Sequence, residues 1–481
     1  MTDVAIVGSG PNGLAAAVTL ARAGLSVRVF ERMGQLGGGA RTAEVVAPGF
    51  LHDTCSAVHP LALASPFFRA FGLERRVDFV IPDISFAHPL SRADGGSGIA
   101  YRDLERTAAE LGRDGDAYRR LLAPLAAHAR EVARMTGSSL LRVPPHPIVT
   151  ARFGLRALQQ GSRWWDAGFS DAVAPAMITG VAAHAIAPQP SLVGAAAGLA
   201  LQTHAHAAGW PIPLGGSQAI SDAMADDLRA HGGEIITDHE VRALDEVTAR
   251  AVVLDVTPRA LVRLAGDRMP PRYRRRLEAF HYGSGAAKVQ FALSGPVPWA
   301  DERIAEAGTI HIGGTRAQIA AGEREVLAGR HAASPYVLVS QPSVFDPSRA
   351  PVGQHALWAY THVPTGSTVD QTEAVTQAIE NVAPGFRDLI IASHSSTAAE
   401  LADENPNYIG GDIAAGTPTL RQLLARPVLS TDPWRTPMPG VYLCGASTVP
   451  GPGVHGQSGW FAARSLLRHE FGIDRTPSLA P

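Results

Sequence analysis

Gly8, Gly10 and Gly13, in the run Ile6-Val7-Gly8-Ser9-Gly10-Pro11-Asn12-Gly13, have the spacing of a turn that brings backbone close to a pyrophosphate. The first glycine suits the turn itself, the second leaves room for the phosphate, and the third lets a helix pack tightly on a strand. Pro11 fits the first helical turn, where its missing N–H costs nothing, and the free N–H groups and positive dipole end of that helix favour an anion. Glu31 follows Gly10 by 21 positions, where a carboxylate can accept hydrogen bonds from ribose hydroxyls. With Asn12 and Arg32 beside them, these residues predict a bound dinucleotide. Lys288 is the one charged side chain in the apolar strand pattern Ala286 to Leu293. Such a lysine either snorkels from a sheet edge or, buried near a reacting centre, shifts its pKa and assists proton transfer. His204 and His206 lie close together among 18 histidines, but no spacing supplies a third ligand, so no metal site is expected.

The elements that position these groups can be read around them. Ala5 to Val7 form a short buried strand, the glycine turn opens a helix that Gly24 stops, and Val27 and Val29 build the next strand. This strand, turn, helix and strand make a βαβ unit of a parallel sheet. From Pro66 to about Gly209 the pattern is mostly helical, as in Leu104 to Arg134, with a Pro-rich break at 143–147, and suggests an inserted cap. Trp210 to Ser217 reads as a turn into a helix from Gln218 to His231. Gly232 and Gly233 then end that helix before a strand from Glu234 to Thr237. Strands at Ala286 to Leu293 and Tyr336 to Ser340 and a helix at Thr372 to Val382 mark a mixed region. Near the end, 440–445 is a strand, and a loop with Gly451, Gly453 and Gly456 opens onto a helix. The loop repeats the glycine spacing, but no second strand and acid follow it, so it is not a second nucleotide fold.

Composition excludes several classes. The chain has 481 residues, 46% of them hydrophobic, with 49 Gly and 36 Pro, which describes a loop-rich globular protein of two or three domains. Its 42 basic residues nearly balance 44 acidic ones, and without a long basic run nucleic acid is not an expected partner. Cys55 and Cys444 alone support neither a disulfide framework nor a thiolate metal site, and point to a reducing, cytoplasmic interior. No signal peptide pattern and no apolar run of about 18 residues is present, so the expectation is a soluble protein, at most peripheral to a membrane.

After Glu31 the chain continues through Leu36-Gly37-Gly38-Gly39-Ala40-Arg41-Thr42, which resembles the flavoprotein superfamily of amine oxidases and phytoene desaturases, whose first unit runs from the ribose acid into a GG segment with a nearby arginine. The resemblance implies FAD, with Gly38, Gly39 and Arg41 near its phosphates. The turn, helix, GG stop and strand of 210–241 resemble the same superfamily, and place Val241 where a valine backbone meets adenine. The hairpin that relatives carry after that valine is shortened here. The C-terminal stretch CGASTVPGPGVHGQSGWFAA resembles the terminal signature of the phytoene-desaturase-like group, implying that Gly445, Ala446, Val454 and Gly456 lie along the pyrophosphate and the flavin pyrimidine edge. His455 in that loop is a candidate acid or base.

The implied fold is α/β: a discontinuous Rossmann-type FAD-binding domain with a parallel sheet, interleaved with an α+β substrate domain. The boundaries are 1–75, 205–260 and 427–481 for the FAD part, 76–204 for a helical cap, and 261–426 for the substrate part. The resemblance also implies that Lys288 holds a water near flavin N5 and that Trp460 forms part of an aromatic cage at the flavin face, with Ile413 at the opposite cage position. The expected activity is hydride removal from a C–H bond of a largely apolar small molecule, forming C=C, with oxygen or a quinone reoxidising the flavin. Alternatives are an amine oxidase, a flavin-dependent double-bond isomerase, and a non-catalytic binding protein like the Rab GDP-dissociation inhibitors.

Overall fold

The structure, a computed structural model, describes residues 2–481. Five strands form a parallel sheet: β1 (Thr2–Val7), β2 (Val27–Phe30), β3 (Glu234–Ile236), β4 (Ala249–Leu254) and β5 (Val441–Leu443), in the order β5-β4-β1-β2-β3. β1 and β4 are short apolar runs without alternation, as strands covered on both faces must be. The helices Pro11–Arg22 and Gln457–Phe471 lie against each other. They approach through Gly459, where a Cβ would overlap the Asn12 carbonyl oxygen. The first and last segments of the chain therefore meet backbone to backbone.

A second sheet has seven strands, in the order 390–396, 285–293, 355–363, 337–340, 309–312, 84–88 and 98–101. Its pairs are antiparallel except the one between 309–312 and 84–88. Alternation along these strands separates two faces. Val289, Phe291, Val337, Val339, Leu357 and Ala359 pack into an apolar core, while Lys288, Gln290, Leu338, Ser340, Trp358 and Tyr360 share the other side.

Three readings of the sequence are corrected here. The cap segment is not all helical: Ile84–His88 and Gly98–Tyr101 leave it to extend the second sheet, and both are buried throughout. Strands buried on both faces show no period of two, and these short ones sit among helical Ala, Leu and Arg patterns. The boundary at residue 204 also falls inside the continuous helix Leu192–Ala207. The stretch 104–134 is broken into the helices Leu104–Glu110, Gly115–Ala126 and Ala129–Thr136. Among the described residues, no helix is long and apolar enough to cross a membrane.

A buried charge network ties residues 42–53 and the turn before the helix Gln218–Ala230 to the loop that joins strands 337–340 and 355–363. The Arg349 guanidinium pairs with Asp53, and neither side chain reaches solvent. Asp53 also accepts from Thr42 Oγ1 at 2.7 Å and from the Ser217 N–H at 2.8 Å. Asp346, next to Arg349, accepts from the Gly215 N–H at 2.8 Å. Losing one member of such a pair leaves the other charged and unsatisfied in a dry site. Arg349→Met is expected to lower unfolding stability by about 3–5 kcal/mol, and adding Asp53→Asn to recover part of that loss, as measured by denaturant titration.

Candidate functional site

The glycine turn is shaped by Asp255, which directly follows β4. Gly8 has φ +96°, and a Cβ there would sit 2.9 Å from the Asp255 carbonyl oxygen. A Cβ on Gly10 would come to 2.5 Å from Asp255 Oδ2, and one on Gly13 would overlap the Gly8 carbonyl. Gly13 N–H donates to Asp255 Oδ2 at 2.8 Å, while Gly10 caps the helix with no side-chain bond and Pro11 occupies its first turn. At the end of β2, Glu31 accepts from Ser9 N–H at 2.9 Å and Ser9 Oγ at 2.6 Å through one oxygen. Its other oxygen accepts from the Met33 N–H at 2.9 Å. Ser9 thus holds the acid over the turn, a link the glycine pattern did not reveal.

A cavity of about 900 Å³ begins here. Gly8, Gly10, Pro11, Asn12, Glu31 and Arg32 line one end, and Val241 lies beside them on the β2–β3 side. Gly38, Gly39 and Arg41 follow, and Gly445, Ala446, Val454 and His455 form the opposite wall. Gly13 and Gly456 are behind the surface. Gly456, at φ +65°, lets the last helix start against Phe67, to which a Cβ would come within 2.5 Å. The Arg41 Nε is buried without a protein partner, so a cation faces the phosphate end of the crevice uncompensated. An open glycine floor, an uncapped helix N-terminus, an unpaired arginine and a fixed carboxylate are a donor and acceptor set that fits a dinucleotide.

Arg426 escaped the sequence reading. It is buried, donates to the Ala446 carbonyl at 3.1 and 3.0 Å and to the Ala414 carbonyl at 2.7 Å, and so holds the C-terminal loop at its place on the cavity wall. Burial pulls its pKa down to about 10, with Asp412 opposing, and it stays charged at neutral pH. Only its position before Pro427 marked it in the sequence, which reads as punctuation and not as a site.

Beyond Gly39 the cavity widens into an apolar chamber. Leu338, Trp358 and Tyr360 from the second sheet form its floor, and Trp210 and His184 close one side. His184 shares a hydrogen bond of 2.8 Å with His311, and burial lowers its pKa to about 3, so it is neutral. Leu192, Val193, Ala196 and Ala200 of the long helix 192–207 make another wall.

Comparison with known proteins agrees with this architecture. Residues 6–71 match the model of the NAD(P)-binding Rossmann-like domain family. The pyridine nucleotide-disulfide oxidoreductase domain-containing protein 2 of Rattus norvegicus is 25% identical, with 97% of this chain and 93% of that protein covered. An oxidoreductase from Methanosarcina mazei superposes with a TM-score of 0.62 at 17% identity, covering 97% of this chain and 100% of that one. Cyclohexylamine oxidase from Brevibacterium oxydans gives 0.57 at 16% identity, covering 98% and 100%. The chain has the amine oxidase-like fold, with a Rossmann-type nucleotide domain.

Within that fold, the three residues considered for chemistry fare differently. Trp460 is not at the cavity: in the first turn of the last helix it packs against Phe67 and Phe461, 6.2 and 5.8 Å between ring centres, with Arg464 over its ring at 5.3 Å. The close helix approach through Gly459 turns its neighbour toward the nucleotide-domain core, so the proposed cage has no Trp460. His455 does line the cavity, but its Nδ1 accepts from the Gln457 N–H at 3.1 Å and its Nε2 donates to the Gly451 carbonyl at 3.1 Å. Burial lowers its pKa to about 4. Both ring nitrogens are spent on shaping the loop, which is a structural duty and not acid–base work.

Lys288 is buried and donates to the Thr54 carbonyl, one layer behind Cys55 and Tyr408, which do line the cavity. Its Nζ is 5.8 Å from the centre of the Tyr408 ring. It is also the only lysine in the chain; every other basic residue among the 42 is an arginine. That compositional signal was present in the sequence and sets the position apart. His206, by contrast, is engaged by Tyr118 and the Tyr101 carbonyl, both at 2.9 Å, as a packing group.

Asp255 makes the site pH-sensitive. Burial raises its pKa from 3.8 to about 7, with the Gly13 N–H opposing and nearby Glu31 adding to the rise. Between those two values the folded chain binds more protons than the unfolded one, so stability falls as pH rises across that window. Asp255→Asn should remove this slope: melting temperatures from pH 4 to 7 will decline less in the variant than in the parent, and equal slopes would place the titration elsewhere.

Proposed function

We propose that the chain is an FAD-dependent oxidoreductase that takes hydride from a C–H bond of a largely apolar small molecule and forms a C=C bond. The observation that carries this reading is the continuity of one cavity from the glycine turn, past Arg41, to a chamber floored by Leu338, Trp358 and Tyr360. When bound, FAD supplies a two-electron acceptor for hydride. The chain supplies the rest. The helix N-terminus after Gly10 and the Arg41 guanidinium receive the pyrophosphate, Glu31 receives ribose hydroxyls, and Arg426 holds the Gly445–Ala446 loop along the ring system.

The apolar chamber orients substrate and leaves water access only from the open side of the cavity. It holds no charged anchor on its sheet side, and with Trp460 turned into the core and Ile413 at the cavity wall, the groups that would mark an amine substrate are missing. For balance, hydride leaves one carbon, the neighbouring carbon loses a proton to solvent or buffer, and the electron pair becomes the new double bond. Burial lowers the pKa of His455 to about 4 and of His184 to about 3, so neither holds a proton well, and with both His455 ring nitrogens and the His184 Nε2 already hydrogen-bonded they take no part as bases in this reading. Lys288, behind Cys55 and Tyr408, acts as a positioning residue for a water or for the Cys55 segment. Oxygen or a quinone then accepts the two electrons.

The test is an anaerobic screen of purified, FAD-loaded protein against apolar alkenes, alcohols and amines, following loss of the oxidised-flavin absorbance. Bleaching by an apolar alkene with a more conjugated product supports the proposal. Turnover without bleaching supports isomerisation instead, and bleaching by amines alone, with peroxide released once air is admitted, supports amine oxidation. Protein that stays colourless after incubation with FAD would refute the cofactor assignment. Lys288→Met is expected to slow oxidative turnover about tenfold or more while leaving FAD content unchanged, and Lys288→Arg not to restore it, since a guanidinium cannot replace a compact ammonium there.

A further inference from the structure

Next to one wall of the cavity, the helix Pro147–Gln160 and its flanks carry apolar side chains that no part of the chain covers. The helix Pro147–Gln160 turns Val149, Phe153 and Ala157 inward, yet its outer face carries Ile148 and Leu155, which are 67% and 68% exposed. Val143 before it and Trp164 after it are 92% and 59% exposed. A helix at the surface of a globular protein normally has one apolar stripe, and this one has two. Leu140 and, from the other side of the opening, Leu420 both line the cavity and are exposed, so the apolar surface is continuous with the chamber.

The same stretch departs from the charge balance of the chain. Residues 117–165 hold eight arginines and one glutamate, in a protein of net charge −2. Arg142, Arg152 and Arg163 are exposed and form no ion pair among the described residues. Arg421 adds another cation beside Leu420, and no acid occurs between residues 413 and 431. A second copy of the chain is a poor cover for this face, because a two-fold contact would set arginine against arginine. Exposed Leu, Ile, Val and Trp interleaved with unpaired arginine is the composition that binds negatively charged lipid.

We propose that this rim, residues 140–164 with 420–424, docks on an anionic lipid surface. The arginines meet headgroups, Ile148, Leu155 and Trp164 enter the acyl boundary, and the cavity mouth faces the layer in which apolar molecules dissolve. The docking stands on the rim alone; only the delivery of substrate through it rests on the function proposed above.

The test is sedimentation of the purified, FAD-loaded full chain with vesicles of phosphatidylcholine, and of phosphatidylcholine mixed with phosphatidylglycerol. Binding to the anionic vesicles, weakened by salt and absent with phosphatidylcholine alone, is expected. The triple variant Arg142→Glu, Arg152→Glu, Arg163→Glu should lower partitioning about a hundredfold. Leu155→Ser with Ile148→Ser should lower it about tenfold, with FAD content and melting temperature as checks on folding. Wild-type protein that stays in solution with anionic vesicles at low salt overturns the proposal, as does a triple variant that binds as well as the parent. A dimer in analytical ultracentrifugation that Leu155→Asp splits would make the face a self-interface and overturn it too. Salt-sensitive vesicle binding by protein that takes up no FAD would leave the docking face standing and remove the proposed chemistry instead.

Discussion

The structure depends on a close approach of backbone to backbone around Asp255 and Asn12. Gly8 and Gly10 lie so near the Asp255 main chain and carboxylate, and Gly13 so near the Gly8 carbonyl, that a methyl group at any of them would collide. Gly459 brings the last helix against Asn12 in the same way. Three stretches that are hundreds of residues apart in sequence are thereby held within a few ångströms of one another. Interiors this dense do not relax around an added atom, so small residues at these points are a condition of the fold and not an ornament of it. The surface left open between the stretches is the nucleotide end of the cavity.

Placement of the rest follows from two further constraints. The buried Asp53–Arg349 pair, tied to Ser217 and close to the Asp346–Gly215 bond, locks the returning turn of the nucleotide domain to the second sheet. Alternation in that sheet then gives one face to an apolar core and the other to the chamber, which is how Trp358, Tyr360 and Lys288 come to lie on the same side. Arg426 closes the arrangement by holding the C-terminal loop through carbonyl oxygens. Charged groups here act through hydrogen bonds inside the protein, where a low dielectric makes each bond count and each loss costly.

The nucleotide end was well written in the sequence because its requirements are local. A glycine turn, a helix start and an acid at a set distance are short-range patterns, and Gly8, Gly10, Asn12, Glu31 and Arg41 do share one cavity wall. The C-terminal loop was legible for the same reason. Residues whose meaning depends on direction were not. Trp460 directly follows Gly459, a glycine that the helix packing needs, and that packing aims its ring at Phe67. His455 looked like a free acid–base group, but the loop that carries it consumes both ring nitrogens. Ile84–His88 and Gly98–Tyr101 lacked the alternation that announces a strand because each of their faces is covered.

By itself, the amino-acid sequence determined the parallel nucleotide-binding sheet, the glycine turn with its carboxylate, and the existence of an interleaved substrate region, since each rests on periodicities and spacings a few residues long. Only the tertiary structure decided which side chains reach the cavity, that Asp255 and Arg426 shape it, and that exposed apolar side chains and arginines of 140–164 lie next to its wall. Those features are set by contacts between segments far apart in the chain, whose relative orientation no local pattern encodes.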